Sequence, residues 1–450
     1  MTYMASTTAR ERQHLIWYQR MASPVSAMIR RDLLVWLVLA AAYATTLGLD
    51  AAPGERYSVP EAHRLLTAKS LAEDRSLELS DEYATADWED FADRPLTPTV
   101  TPANDRLIEP QSIGFALLTA PAYAAGGPRA VEGLCAALLA LAFTLSAALA
   151  RRMVPDPWAT GAVLAAGLSP PALAGATMIA PAATGAALLT GGALLALRAR
   201  DDPRLGTAAG AAAVIAMLPW LSVRLVVPGA VVLIALARWL RRRRRGAAGL
   251  VALEVLLSSA VVLATVNERL YGALLPSGSE PGLRPPDAGT AGVTLLARLP
   301  ALPGTLIDRD AGLLRWAPVL ALAAVSLWLL ARSRRGHVAR ALPERALVEA
   351  TAVLLAATSA AALATAALAA PGIRGPWLIP GDAVAILPLL GALAAWGLRH
   401  VPRTGAALAC FTLAGSVWLV LGARLGGAAG LAPPSGPLPW GGLEGVLPPF

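Results

Sequence analysis

Glu61 and His63 lie two residues apart in VPEAHRLL (59–66), just beyond the first apolar block of the chain. A carboxylate there can take a proton from a hydroxyl, or it can serve only to oppose the dipole of a helix that starts at Pro60. His63 can accept a proton or ligate a metal, or be an ordinary loop histidine. Residues two apart on a helix face different ways, so a shared ligand pair does not follow from the spacing. Arg224 sits between two apolar blocks with almost no loop around it. A charge in that place is costly unless it reaches water or an anion. A guanidinium can bind phosphate oxygens in a bidentate manner, and it can equally snorkel to an interface. Arg309 and Arg315, with Asp308 and Asp310 beside them, form a second charged group ahead of an apolar block. They read either as an anion site with its supporting carboxylates or as a solvated turn before a helix.

Other signals are weaker. Trp88 lies in an acidic stretch where an indole could stack on a sugar. Trp220 and Trp316 fit an aromatic belt at a membrane surface, as does Trp377. Glu254 falls inside an apolar block, where it is a proton-relay candidate or a partner for Arg241–Arg245. The adjacent acidic pairs at 73–74, 81–82 and 89–90 do not share a helical face. The chain has no P-loop, HExxH, CxxC or GxSxG pattern.

These residues must be held by an unusual chain. Of 450 residues, 56% are hydrophobic and 15% charged, and mean hydropathy is +0.56. Average soluble domains carry roughly 25% charge. The apolar residues come in blocks matching the thickness of a bilayer. This excludes an ordinary soluble enzyme and a disordered chain, and predicts an all-α polytopic membrane protein. Eleven spans are the most economical count: 33–49, 131–150, 158–174, 176–197, 206–221, 224–240, 247–266, 315–331, 347–370, 383–398 and 405–422. Cys135 and Cys410 both fall inside such blocks, which argues against a structural disulfide. The first block reads as a retained helix rather than a cleaved signal.

Charge sets the expected orientation. The net charge is +8, and 37 of the 38 basic residues are arginine, Lys69 being the one lysine. The arginines sit in short joints, including Arg30–Arg31, Arg151–Arg152, Arg198/Arg200/Arg204 and Arg241–Arg245, which places the N-terminus and these joints in the cytoplasm. WLRRRRR (239–245) is then a topology anchor touching anionic headgroups, and no nucleic-acid partner is expected. The expected organisation is a cytoplasmic segment 1–32, a transmembrane domain 33–422 with an outer loop over 50–130, and an irregular outer tail 423–450.

The loop breaks the pattern. Residues 50–110 hold 14 of the 30 acidic residues. PEAHRLLTAKSLAED (60–74) reads as an amphipathic helix started by Pro60 that could lie in the membrane surface. DEYATADWEDF follows, and then a proline-rich stretch that forbids regular structure. QSIGFALLTAPAYAAGG (111–127), interrupted by Pro121, reads as a re-entrant or surface-lying segment ahead of the second span. The loop is either solvated or the roof of a site.

Several segments, in order, resemble a bacterial group of polyprenyl-phosphate-sugar-dependent membrane glycosyltransferases of the GT-C architecture, related to the protein mannosyltransferases. They are VPEAHRLLTAKSLAEDRSLELSDEY (59–83), RLIEPQSIGFALLTAPAYAAGG (106–127), LSPP (168–171), LPWLSVR (218–224), NERLYGALLPS (267–277) and DRDAGLLRWAP (308–318). In this resemblance Glu61 matches the second acid of a family pair, His63 the family histidine and Tyr83 the closing tyrosine. The chain departs from the pattern at Pro60 and Ala182, where acids are expected. It departs again at Ser222 and Val223, where His-Pro is expected before the retained Arg224.

The resemblance implies a GT-C-like bundle in the bacterial inner membrane that moves a sugar from a polyprenyl-phosphate donor to an envelope glycan, lipid or protein. Glu61, His63, Asp308 and Asp310 would then be catalytic. Arg224, Arg309 and Arg315 would hold the donor phosphate, and Trp88 and Tyr83 would contact sugar. A divalent metal, Mg2+ or Mn2+, would lie on Glu61. Two alternatives stand beside it: a non-catalytic relative that binds a polyprenyl lipid or a partner membrane protein, and a transporter or flippase. Convincing internal repeats, which many transporters show, are not found.

Overall fold

The computed structural model describes residues 24–50, 56–99, 106–274, 299–308, 312–333, 343–369 and 381–425. The regular elements are all helical: α1 Pro24–Ala44, α2 Val59–Glu73, α3 Ser80–Ala84, α4 Ile113–Ala150, α5 Trp158–Gly167, α6 Pro170–Thr177, α7 Pro181–Asp201, α8 Leu205–Ala216, α9 Leu218–Leu221, α10 Val226–Arg242, α11 Gly246–Tyr271, α12 Ala301–Ile307, α13 Leu313–Trp316, α14 Ala321–Ser333, α15 Pro343–Ala369, α16 Leu387–His400 and α17 Pro402–Leu425. Short 3-10 turns connect several of them.

All eleven expected spans fall largely on helix, but fewer qualify as full crossings. Among the described residues seven helices are long and apolar enough to cross a membrane, eight if the bent pair α5–α6 is one span. The shortfall has local causes. Helix α1 carries Arg30, Arg31 and Asp32 within its length. Leu205–Leu221 and Pro318–Arg332 are apolar but short. Between α5 and α6 the axis bends by 59° where Ser169 precedes Pro170, and the residue before a proline is driven out of helical geometry.

The 111–127 segment differs from expectation in one detail. Pro121 lies inside helix, and the interruption comes instead at Gly126–Gly127, with Gly127 at φ 63°. That left-handed geometry suits glycine. The 113–125 half therefore packs as a separate piece before the 128–150 helix. Residues 426–450 and 1–23, the expected tail and most of the N-terminal segment, lie outside the described residues, as does Trp377; Arg424, expected in the tail, is still helical.

Helix ends gather at two levels. At one end Arg151 binds Asp32 at 2.5 Å and Asp156 at 3.1 Å, Arg31 binds Asp156 at 2.5 Å, and Arg152 binds Asp201. These contacts put the start of α1, the α4–α5 joint and the end of α7 together, as alternating crossings require. At the other end Tyr43 donates to the Gly167 carbonyl at 2.8 Å, and Tyr271 to that of Gln111 at 2.7 Å.

Between the two levels small residues let the helices approach closely. A Cβ on Gly192 would meet Ile215 at 2.3 Å, and one on Gly185 would meet Leu225 at 2.5 Å. Close approach at small residues is the usual packing device where lipid supplies no hydrophobic drive. Helix α17 then closes the bundle with polar groups. Thr412 Oγ1 accepts from Val319 N at 3.1 Å, Ser416 donates to the Leu168 carbonyl at 2.6 Å, and Arg424 donates to the carbonyls of Thr45 and Leu47 at 2.9 and 2.7 Å.

Candidate functional site

Several polar residues of the acidic loop are buried, most of them on α2. Helix α2 starts as expected, with a proline in its first turn and a capping box between Ser58 and Glu61. It does not lie flat in a surface, since Glu61, His63, Leu65, Leu66, Lys69 and Ser70 are all buried. Glu61 is 2% exposed. Its Oε2 accepts from Ser58 N at 2.9 Å and Ser58 Oγ at 2.6 Å, and its Oε1 accepts from Ile179 N at 2.9 Å. One turn on, Arg64 donates to the Ile179 carbonyl at 3.0 Å. Both polar groups of Ile179, stranded between α6 and α7, are thus satisfied from one helix. Burial raises the Glu61 carboxyl above its usual range, against the opposing effect of those hydrogen bonds.

Glu132 on α4 is a second buried carboxylate, one that no sequence signal marked. It accepts from Tyr57 Oη and from Gly48 N at 2.9 Å, and Arg56 stands 3.7 Å away.

His63 belongs to a third group. Its ring meets Tyr83 edge-on, with centroids 6.5 Å apart, and Tyr83 donates to Glu109 Oε1 at 2.7 Å. Thr99 donates to the same carboxylate through N at 3.1 Å and through its hydroxyl. His63 also bonds the Thr97 backbone, and its Nε2, though buried, has no hydrogen-bonding partner among the described residues. Burial lowers the His63 pKa in spite of the Glu109 charge, which leaves a neutral ring at neutral pH. Glu109 is the functional candidate that sequence reasoning missed. It lies inside RLIEPQ (106–111), but nothing local reveals that Tyr83 and His63 converge on it.

Trp88 is half-buried in a 3-10 turn, Asp87–Asp90. Lys69 holds that turn: Nζ lies 2.6 Å from Asp90 Oδ2 and 3.4 Å from Asp87 Oδ2.

Arg224 follows α9 in a 3-10 turn, where its N–H donates to Ser222 Oγ at 3.3 Å. Leu225 and Val226, the next two residues, line a cleft of about 420 Å3 between α8, α10 and α11. Its walls are Ile215, Leu218, Leu233, Leu257 and similar groups, with Ser259 as the polar exception. Ser259 accepts from Trp220 Nε1 at 2.9 Å. Gly114, at the start of α4, packs directly on the Trp220 backbone. The Glu109–Gly114 segment therefore runs from the His63 group to the strand of chain that ends in Arg224.

Asp308 is buried at the end of α12, and the Arg315 guanidinium stacks over Trp316 at 5.2 Å. Trp316 is 1% exposed, so it is a core residue and not part of an aromatic belt. Arg309 and Asp310 lie outside the described residues. Of the departures, Pro60 is exposed on the first turn of α2 and Ala182 is buried in the first turn of α7. Among the described residues no three His, Cys, Asp or Glu side chains are grouped to hold a metal ion. The described residues do not fit a divalent cation on Glu61, whose oxygens already take three hydrogen bonds.

No family model matches the sequence, and no curated protein matches it. Among solved structures the chain is similar to the crystal structure of ArnT from Cupriavidus metallidurans bound to undecaprenyl phosphate, with 14% identity and a TM-score of 0.49 over 91% of this chain and 73% of that one. The apo form of the same protein gives 15% identity and a TM-score of 0.49, over 89% of this chain and 64% of that one.

Proposed function

We propose that this chain is a GT-C-like glycosyltransferase of the bacterial inner membrane, moving a sugar from a polyprenyl-phosphate donor to an envelope acceptor at the outer face. The observation that carries the reading is the placement of Arg224. It immediately precedes Leu225 and Val226, which line an apolar cleft of about 420 Å3, and the chain segment it belongs to packs against the one bearing Glu109. A cation adjoining the lining of an apolar cleft in the chain suits a lipid whose head is a phosphate.

In this reading Arg224 and Arg315, with Arg309, take the charge of the departing polyprenyl phosphate. The bond from the sugar's anomeric carbon to the phosphate oxygen breaks, and the electron pair leaves with the phosphate. The acceptor oxygen bonds to that carbon and loses its proton to His63 Nε2, the buried nitrogen with no hydrogen-bonding partner among the described residues. Glu109 keeps Tyr83 against the His63 ring and steadies the imidazolium that forms. Glu61 holds α2 against Ile179 and so positions His63, two residues on. Asp308 and Asp310 flank the arginines, and Trp88 and Tyr83 border the sugar. No step uses a metal.

Proline at 60 and alanine at 182 favour a second reading, in which the fold binds a polyprenyl lipid without transferring sugar. The test uses full-length protein in liposomes with polyprenyl-phosphate sugars. Arg224→Ala should weaken polyprenyl-phosphate binding, and His63→Gln should abolish transfer while leaving binding intact. Binding lost in Arg224→Ala without transfer in any variant would support the second reading; unchanged binding and turnover in both variants would overturn the site.

A further inference from the structure

A second cleft, of about 730 Å3, lies at the arginine-bearing end of the bundle, between α10 and α15. Its lining is divided along the helix axes. Arg200, Arg238, Arg242 and Arg243 occupy one part with Trp239. Val231, Ile234, Val353, Leu354 and Ala357 occupy the other, and Glu349 is the one acidic residue in the lining. From Val231 to Arg243 the α10 axis covers about 18 Å, the depth of a headgroup and the first part of its chains. Ile234 and Val353 are 59% and 51% exposed, so among the described residues this part of the wall is open, with Leu354 buried behind it.

We propose that this cleft binds an anionic glycerophospholipid, with the phosphate among the arginines and the acyl chains along the apolar wall. The run Arg241–Arg245 alone would attract any anionic surface. The cleft is more selective than the run. Arg238 and Arg242, four residues apart on one helical face, both line the cleft, whereas Arg241 lies outside its lining. Arg200 joins them from another helix, where it is already fixed: it bonds the Ala346 carbonyl and Asp201, each at 3.1 Å, and its guanidinium lies 5.9 Å from the Trp239 ring. A cation held across helices gives up little freedom on binding a phosphate. The apolar wall distinguishes a lipid from a soluble phosphate, which would leave that wall bare. This site is at the opposite end from the proposed transfer site and does not depend on it.

The split between cleft and run supplies its own control. Arg238→Ala/Arg242→Ala/Arg243→Ala and Arg241→Ala/Arg244→Ala/Arg245→Ala remove the same charge, one from the lining and one from outside it. Full-length protein in neutral detergent would be titrated with phosphatidylglycerol, cardiolipin and phosphatidylcholine and its bound lipids counted by native mass spectrometry. The cleft triple should weaken anionic-lipid binding at least about tenfold, given roughly 1 kcal/mol for each arginine near a headgroup surface, while the outer triple stays close to wild type. Ala357→Trp, which fills the apolar part at an exposed position without changing charge, should also weaken it, and this covers the case of a cleft triple that fails to fold. Equal losses in the two triples would overturn the proposal, as would equal binding of phosphatidylcholine. Displacement by glycerol phosphate at the same concentration as lipid would also overturn it, by showing a soluble-phosphate site.

Discussion

Glu61 accepts a hydrogen bond from the backbone N–H of Ile179, 118 residues further along the chain. The outer loop is thereby fastened to the turn between two membrane helices, where the broken backbone needs an acceptor. In Glu61→Ala the amides of Ile179 and Ser58 lose theirs. Each unsatisfied buried group costs about 1–3 kcal/mol. The variant should unfold at lower temperature and expose the 56–99 segment to protease; Glu61→Gln should lie between it and wild type. Unaltered proteolysis of Glu61→Ala would mean that the loop is held elsewhere.

Glu82 gives a pH signature. Burial, and then the neighbouring Asp81 carboxyl, push its pKa up to about 7 from 4.5. The folded state therefore holds this proton more tightly than the unfolded one, and stability falls as pH rises from 4.5 through about 7. Glu82→Gln should raise the melting temperature at pH 8 and change it little at pH 4.5. An equal effect at both would show that the carboxyl does not titrate in this window.

Lys69 is the one lysine in the chain, and its side chain is 10% exposed. Burial works to lower its pKa, but the bond to Asp90 and the charges of Asp90 and Asp87 outweigh that and raise it. A protonated, buried amine is a poor nucleophile. Amine-reactive ester should modify Lys69 only after denaturation, which peptide mapping would detect. Asp90→Asn should speed the reaction in the folded protein.

Gly114 has no room for a side chain. A Cβ there would lie 2.6 Å from the Trp220 carbonyl oxygen and 2.8 Å from Trp220 Cβ, and neither can move without shifting the chain that leads to Arg224. Gly114→Ala should cost about 1–3 kcal/mol of stability, in the range of overpacked cores. It should also weaken polyprenyl-phosphate binding more than Gly133→Ala, a change with open space around it.

The apolar blocks were legible because a bilayer imposes a length on them, and each lies largely on helix. Among the described residues, however, only seven or eight helices are long and apolar enough to cross. Pro60 announced α2. The breaks were harder, because a proline inside a helix and a proline that ends one look alike in sequence. Pro121 is accommodated in α4, whereas Pro170 marks a real bend. Glu109 and Glu132 were illegible for a different reason. Their partners Tyr83 and Tyr57 lie 26 and 75 residues away, and no spacing rule connects them. Trp316 misled because an indole at the end of an apolar block fits a membrane belt as well as a protein core.

Helix α17 supplies polar groups to the end of α1, to the break after α5 and to the turn before α14. These three irregular places belong to segments made much earlier by the ribosome. In the hydrocarbon region a backbone group without a partner is expensive, so the broken helices can settle into final form only once α17 has inserted. The bundle is thus finished by its late-arriving member, and a chain stalled before residue 402 should be a substrate for membrane quality control even with its outer loop already made.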